Sequence, residues 1–573
     1  MILNSKAQII FESRYAYNER EDWDGLATRV GRGGASVEPV DRSKWEEKFS
    51  RMINDMLFLP GGRILRNMGR PRGTLFNCYV EPLEDSIEEI GDFQKNCGIL
   101  WSEGGGVGCN SSFLRPEDAQ IVQKGGESSG PLSFLKWANA GANCIKTGGA
   151  RRAACLALML VSHPDIFKFI NTKLVEGELN CFNISVGVME EFLDAVEAND
   201  TWNLKWHHKV WKEIKAREIW DLVLENMVKC AEPGLINWDN LRNNNSYYFD
   251  PILSTNPCGE VPLGAHGVCC LGSLVLPKFI AQKNTNWKLM QETVYNSVRF
   301  LDNIIQVNRY PITIPEIQRK AFDGRRIGLG FMGLGDYLFA KKLRYGSPEA
   351  IDEIEKLVKN IRNYAYEASI KIAEEKGAFP KFDTKMYSKA HFIRSLPAAM
   401  RLDIKKYGIR NVSLMAIAPT GTISLLPEVT SSAEPLTFKA FMRHDEIGDR
   451  AYVHPIYQKI IENNEKTPDW FVDTTDLKPE DHFETQVIIQ KYTDGAISKT
   501  INTPSGFKVE QLSHLLLEYI RDLKGVTLYV DGSREEQILV PIKSKKEVKK
   551  YIEDGKVHTD AEEMSCGTGS CEI

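Results

Sequence analysis

From Phe58 onward, short apolar runs end in glycine turns and are followed by amphipathic stretches, a pattern that repeats through most of the chain. Such alternation restricts the fold to a mostly parallel sheet with helices on its outer side, because parallel strands need crossover connections and these pack back onto the sheet. Residues 156–161 read as a buried strand and 165–173 as a helix, then 182–186 as a strand and 189–198 as a helix. Residues 211–231 carry apolar side chains at helical spacing up to Pro233-Gly234, and 289–307 repeat that pattern. The clearest helix covers 347–376. Ser347 can cap it, Pro348 suits the first helical position, Ile351, Ile354, Leu357, Val358 and Ile361 form one stripe, and Gly377 can end it. Residues 412–417 are strand-like, and a late strand at 526–530 follows a helical 509–523.

A chain of 573 residues exceeds one small core but suits one large α/β barrel with appendages, or several ordinary domains. The net charge of -5 argues against a general nucleic-acid surface while leaving small anionic ligands possible. Residues 1–14 lack a basic segment followed by an apolar one, and the longest apolar run, 153–161, is too short to span a bilayer. The expectation is a cytoplasmic protein that binds neither membrane nor nucleic acid. Twelve cysteines in so long a chain do not form a disulfide framework; most read as small buried hydrophobes and a few as redox-active. Three regions are expected. Residues 1–55, polar and broken by Val30-Gly31-Arg32-Gly33-Gly34, form a short helical N-terminal segment, 56–540 form the main α/β domain, and 541–573 form a flexible tail.

Ser254-Thr255-Asn256-Pro257-Cys258-Gly259-Glu260 sets an amide, a thiol and a carboxylate at alternate positions around a rigid proline and a permissive glycine. If the stretch is extended, Asn256, Cys258 and Glu260 point to the same side, where a donor, a sulfur and a base converge. A Pro-Gly turn with a buried cysteine accounts for the same residues one at a time. Cys78, in Phe76-Asn77-Cys78-Tyr79-Val80, and Cys269, before Cys270-Leu271-Gly272-Ser273, each read singly as core filling. Cys566 and Cys571 differ, since a glycine-rich tail has no core to fill and exposed paired thiols serve dithiol exchange. Zinc is the competing account there, but these cysteines supply only two ligands, and no histidine spacing in the chain suggests a metal site.

Pro419-Thr420-Gly421-Thr422-Ile423-Ser424 joins a strand to a helix start. Its N–H groups and hydroxyls can hold an anion, although a plain capped loop reads the same way and the lysine of a P-loop is absent. Gly104-Gly105-Gly106-Val107-Gly108 permits close backbone approach. Lys146-Thr147-Gly148-Gly149-Ala150-Arg151-Arg152 sets three cations on a flexible turn, which suits either nucleotide phosphates and bases or a solvated basic loop. His163-Pro164-Asp165 reads as a turn and helix cap.

Taken in order, these pieces resemble the catalytic subunit of ribonucleotide reductases, specifically the class II, adenosylcobalamin-dependent enzymes. The resemblance runs from about residue 59 to the C-terminus. It takes in the motifs around Cys78, Gly104–Gly108, Gly148–Arg152, His163–Ile166, Phe182–Val188, Asn256–Glu260, Arg325–Gly330, Ala418–Ser424, Ala496–Asn502 and Asp531–Arg534. It implies a ten-stranded α/β barrel of two parallel five-stranded halves, with a catalytic finger loop inside, that reduces ribonucleotides to 2′-deoxyribonucleotides. Cys258 would be the thiyl radical that takes the ribose 3′-hydrogen, Glu260 the general base on the 3′-hydroxyl, and Asn256 a hydrogen-bonding partner of the same sugar region. Cys78 and Cys269 would supply the reducing equivalents and end as a disulfide. Cys566 and Cys571 would reduce that disulfide and be regenerated by a thioredoxin- or glutaredoxin-like partner. Thr420, Gly421, Thr422, Ile423 and Ser424 would hold the phosphates.

Within the family, class I enzymes carry the radical inward through adjacent tyrosines in a late strand, where this chain reads Tyr529-Val530. Class III enzymes hold a glycyl radical near the C-terminus, where this chain has a dithiol. Class II remains, with adenosylcobalamin beside the thiol; the chain has no Asp-x-His-x-x-Gly motif, which the family does not require. Thr147 stands where the family often has Gln in the loop that reads effector and base, alongside Lys146, Arg151 and Arg152. Cys270 replaces the usual Asn, which leaves Cys269 and Cys270 both open as the partner of Cys78. The short N-terminus leaves no room for an ATP-cone, so overall control by ATP and dATP is expected to be absent. Specificity control by a deoxynucleotide effector, through about 122–135 and 143–154 at a homodimer interface, is retained. No large insertion mimics a partner subunit, which favours a dimer using diphosphates. The alternatives are a class I large subunit with an altered radical path and a non-radical nucleotide-binding redox regulator.

Overall fold

The computed structural model describes residues 3 and 5–558, apart from 72, 123–124, 146–152, 176, 309–313, 446–447, 534–538, 543 and 554–556. Its largest sheet has eight strands in the order Gly267–Cys269, Cys78–Val80, Gly106–Asn110, Cys155–Leu160, Phe182–Val188, Gly234–Asn237, Gly525–Val530 and Thr500–Thr503. From Cys78–Val80 through Gly234–Asn237 all neighbours are parallel, and helices such as Ile87–Ser102, Gly130–Cys144 and Ala216–Cys230 lie between them in the chain. Strands of this kind are buried on both faces, which explains why 156–161 is apolar throughout instead of alternating.

A second parallel group begins with Leu271–Val275 beside Gly328–Met332 and continues through parallel bridges from Leu329 to Met415 and from Ile417 to Ile497. Thr500–Thr503 runs parallel to Gly525–Val530, which meets Gly234–Asn237 of the first group antiparallel. At the opposite edge only Cys270 separates Gly267–Cys269, paired with Cys78–Val80, from Leu271–Val275. The molecule is thus mixed α/β with a large, parallel-rich sheet.

The helix at Pro348–Lys376 forms as the caps dictate: Ser347 Oγ accepts from Ala350 N at 3.2 Å, and Gly377 ends it at φ +83°. Ile354, Leu357, Val358 and Ile361 are buried as one stripe, and the helix packs along Trp287–Val307.

Three local readings are corrected. The glycines of 30–34 do not break the N-terminal segment but lie inside the helix Trp23–Ala35. A Cβ on Gly31 would stand 2.6 Å from the backbone N of Ser50, and one on Gly34 would stand 2.4 Å from the Phe300 ring. Close packing on Arg42–Asn54 and Trp287–Val307 offsets their cost of about 1 kcal/mol each in helix propensity. Residues 211–215 belong to the strand Lys209–Lys215, hairpinned with Thr201–Trp206, and the helix starts only at Ala216. Beyond 541, expected to be flexible throughout, a helix forms at Lys545–Glu553 and a strand at Val557–His558. Leu539–Pro541, Ala440–Asp445, Gly448–Val453 and Val557–His558 make a separate four-stranded sheet, over a small core that includes Phe441, Tyr452, Phe471 and Val548. Apolar side chains spaced among the lysines of 545–552 supply what that core needs.

Among the described residues no helix is long and apolar enough to cross a membrane.

Candidate active site

Ser254–Thr255 pairs antiparallel with Pro262–Leu263, and residues 256–261 form the loop of this short hairpin. The strand-alternation argument for Asn256, Cys258 and Glu260 is therefore corrected, because a turn rather than an extended run brings the side chains together. Gly259 takes φ +80° and donates its N–H to Asn256 O at 2.9 Å, a conformation that suits glycine. Asn256 ties the two arms: its Oδ1 accepts from Val261 N at 2.9 Å and its Nδ2 donates to Glu260 Oε2 at 2.7 Å. Ala496 N donates to the Glu260 carbonyl at 2.8 Å, so the hairpin is also held from the second strand group.

The glycine run seats this finger. A Cβ on Gly108 would lie 1.8 Å from Thr255 O and one on Gly106 would lie 2.8 Å from Pro257 Cγ, so only glycine on that face of Gly106–Asn110 admits the hairpin. Ser254 Oγ donates to Cys109 O at 3.0 Å, and Asn183 Nδ2 donates to Pro257 O at 3.4 Å. Two glycines at alternate positions of one strand were the sequence signal for this close approach.

Cys78 and Cys269 are cross-strand partners in register, both buried, within a small apolar cluster of Val80, Val261, Leu263, Leu271, Ala416 and Ala418. Cys270 points the other way, into the main core, with Sγ 3.5 Å from Leu301 O. Strand alternation thus puts one of the two neighbouring thiols beside Cys78 and the other among the helices. Burial, followed by Cys78 and Glu260, pushes the Cys269 thiol well above its ordinary range.

Cys258 and Glu260 at the finger, Cys78, and residues 418–420, 422 and 423 all line one cavity of about 450 Å³. Cys258 is half-buried at this wall, and nothing lies within 4 Å of the position a Gly259 Cβ would take, so the tip is open on that side. Glu260 is 1% exposed, and burial pushes its carboxyl up to about 7 against the opposing hydrogen bond from Asn256.

Thr420 adopts φ +55°, its Oγ1 accepts from Ser432 N at 2.7 Å, and its carbonyl accepts from Ser424 N at 2.9 Å. Ser424 Oγ donates to Gly421 O at 3.2 Å; Thr420, Thr422 and Ile423 line the cavity, whereas Gly421 does not and Ser424 is fully buried behind them. His163 forms the expected turn, its Nδ1 accepting from Asp165 N at 3.1 Å, but Asp165 makes no side-chain cap. Lys146, Thr147, Arg151 and Arg152, and the tail cysteines Cys566 and Cys571, lie outside the described residues, as does Arg534. Among the described residues no group of three or more His, Cys, Asp or Glu could hold a metal ion.

Ser13, Arg14, Tyr15, Arg63 and Arg66 also line the cavity, and sequence reasoning missed them. They come from the N-terminal segment and the helix Gly62–Asn67, where no local pattern marks a side chain as facing a distant loop.

The model of the ribonucleotide reductase barrel domain matches residues 76–529. A vitamin B12-dependent ribonucleoside-diphosphate reductase of Thermoplasma acidophilum is 35% identical over 566 residues, covering 92% of this chain and 71% of the relative. One of Mycobacterium tuberculosis is 33% identical over 557 residues, covering 92% and 78%. A ribonucleoside-diphosphate reductase subunit alpha of Chlamydia pneumoniae is 26% identical over 482 residues, covering 74% and 46%.

Proposed function

Since the chain belongs to the ribonucleotide reductases, we propose that it reduces ribonucleoside diphosphates at Cys258, with adenosylcobalamin as the radical source. The observation that carries this reading is that Cys258, Glu260 and Cys78 open onto the same cavity as the 418–423 loop. A nucleotide there can present its ribose to the thiol while its phosphates meet the loop. In this reading Cys258, as a thiyl radical, takes the 3′-hydrogen and forms an S–H bond. Glu260 withdraws the 3′-hydroxyl proton, with Asn256 holding its carboxylate toward the sugar. The 2′-hydroxyl leaves as water, taking a proton from the Cys78–Cys269 pair. The pair then gives its second hydrogen, as an atom, to C2′, and the remaining electron passes to the 3′-ketone as the S–S bond closes; Glu260 returns the proton to O3′ and Cys258 returns the hydrogen atom to C3′. Cys566 and Cys571 would then exchange with that disulfide and be recharged by a thioredoxin- or glutaredoxin-like dithiol protein. The backbone N–H groups of Gly421, Thr422 and Ile423 and the hydroxyls of Thr420 and Thr422 would receive the phosphates, while Ser424, whose N–H and hydroxyl are bonded within the loop, would hold its shape.

The open side of the Cys258–Gly259 tip suits a bulky cofactor approaching the thiol, and the half-buried sulfur is reachable from it. Adenosylcobalamin, when bound, supplies a hydrogen-atom acceptor through homolysis of its cobalt–carbon bond. Cys258 would face it, and the finger would fix the sulfur between cofactor and ribose.

Further parts of the reading rest on the same basis. Pairing around both strand groups supports a closed barrel of two parallel five-stranded halves with the finger inside. The division into 1–55, 56–540 and 541–573 is retained, with the first part of the last region moored to the four-stranded sheet. Trp137, 49% exposed on the helix Gly130–Cys144, supports a homodimer face beside the region assigned to a deoxynucleotide effector. Free thiols throughout the described chain suit a cytoplasmic setting.

Purified protein given adenosylcobalamin, a small dithiol and a ribonucleoside diphosphate is expected to form the 2′-deoxynucleotide, with none formed when the cofactor is left out. Full activity with a separate iron- or manganese-containing subunit and no cobalamin would sink the proposal.

The buried carboxyl sets a pH dependence. One unit below its value of about 7 only about a tenth of Glu260 is ionised, so kcat/KM is expected to rise tenfold per pH unit through the acid limb and level off above about 7. Asn256→Ala removes the hydrogen bond that opposes burial and should move this midpoint to higher pH. The stability sign is the reverse of the usual carboxylate case. With the folded value raised from 4.5, Glu260 costs the fold nothing below about 4.5 and destabilises it as pH rises through about 7. Glu260→Gln should therefore gain thermal stability relative to the parent at pH 8 more than at pH 5, while losing turnover.

A further inference from the structure

The proposed phosphate loop carries no cation: residues 418–424 read Ala-Pro-Thr-Gly-Thr-Ile-Ser. A nucleoside diphosphate brings two to three negative charges, and neutral N–H and hydroxyl donors alone leave much of that charge uncompensated in a partly enclosed cavity. The compensating charge stands elsewhere on the lining. Arg14, Arg63 and Arg66 line the same cavity, whereas Glu260 is the one carboxylate among the described residues that line it. Arg63 is 8% exposed and donates Nη2 to Gly104 O, which fixes that guanidinium in the wall. Arg14 and Arg66 are exposed at the mouth, and neither pairs with a carboxylate of the described residues.

We propose that Arg14 and Arg66 form the cationic half of the nucleotide-phosphate site, facing the uncharged loop at 420–424, so that the N-terminal turn at 11–15 is part of the substrate site. This rests on the nucleotide-reductase reading and adds to it a second, charged subsite to which the short helical N-terminal segment contributes Arg14 and the helix Gly62–Asn67 contributes Arg66. The geometry of the turn supports the assignment. Phe11 and Tyr15 are 0% and 5% exposed and bury one side of the turn in the main core. Ser13 and Arg14, between these anchors, are turned out along the cavity. Arg14 is thereby held by its neighbours, and a guanidinium delivers several N–H donors to phosphate oxygens at once. The interaction is with the phosphates and not the reacting ribose, so it contributes equally to ground state and transition state and should appear in binding more than in turnover.

The test uses the full chain and equilibrium binding of cytidine 5′-diphosphate and of cytidine, without reductant so that no turnover occurs. Arg14→Gln and Arg66→Gln are each expected to weaken diphosphate binding about tenfold or more, and the double variant further, with cytidine binding changed less than twofold and adenosylcobalamin binding unchanged. In turnover assays KM should rise by the same factor while kcat falls less than threefold. Arg14→Lys should recover part of the loss, which separates a charge effect from a misplaced turn. Unchanged diphosphate affinity in both variants, equal losses for diphosphate and nucleoside, or a loss confined to cobalamin would overturn the proposal. If the parent binds the diphosphate and the variants lose it, yet no deoxynucleotide ever forms, the subsite stands and the reaction assignment fails. If the parent does not bind the diphosphate, both fail.

Discussion

Cys258→Ala is expected to abolish deoxynucleotide formation, a loss of about 10⁴-fold or more in kcat, with diphosphate affinity held within threefold. Among the described residues only one other thiol, that of Cys78, lines the cavity, and it does not stand at the finger tip. Cys78 lies in a strand paired on both sides, Cys269 is fully buried behind it, and Cys270 faces the helices. The substitution should leave the finger in place, since its shape depends on the Asn256 bonds, the left-handed Gly259 and the seat at Gly106 and Gly108, none of which uses the sulfur. Cys258→Ser is a stricter control. It keeps a small polar group, but its O–H bond is stronger than S–H, so the side chain cannot act as a hydrogen-atom carrier. Product counted per active site, with circular dichroism to confirm folding, decides the matter. Residual turnover above a hundredth of the parent in either variant would show that Cys258 is not the radical site, and the redox-regulator alternative would return.

The second large effect separates two neighbouring thiols. Cys269→Ser should reduce dithiol-driven turnover at least about 100-fold, because Cys78 then has no partner with which to close a disulfide across the strand pair. Cys270→Ser should keep turnover within about fivefold and instead lose stability, of the order of 1–3 kcal/mol, for placing a hydroxyl in an apolar core. Mass spectrometry of the parent after one turnover without reductant is expected to find Cys78 joined to Cys269. The opposite ranking of the two variants, or a Cys78–Cys270 peptide, would reverse the assignment. In sequence the resemblance pointed to Cys269, and Cys270 left the pairing open because it replaced an expected Asn.

Much of the candidate site was legible before the fold. The unusual set Asn256, Cys258 and Glu260 could be picked out because an ordinary strand rarely carries an amide, a thiol and a carboxylate around Pro and Gly, although of the two local readings weighed it is the Pro-Gly turn, not the extended run, that forms. Alternation along an extended strand was the argument, and a hairpin turn is what operates. The glycines at 104–108 could be read only as permitting close approach, because what Gly106 and Gly108 admit is a backbone about 150 residues away, at Thr255 and Pro257. The arginines at 14, 63 and 66 gave no signal at all, since arginine is ordinary on any polar segment until a cavity is seen beside it.

By itself the sequence determined what depends on near neighbours. Periodicity and caps placed the helix Pro348–Lys376 to the residue, and continuous apolar runs marked the buried parallel strands, because those signals act over a few residues along the backbone. Tertiary structure alone decided what depends on register between distant segments. It set Cys269 rather than Cys270 across from Cys78, seated the finger on Gly106 and Gly108, and brought the N-terminal turn to the cavity. A one-residue shift in strand pairing exchanges the two faces of a strand, and the energy that sets the register comes from burial summed over the whole sheet rather than from any motif within it.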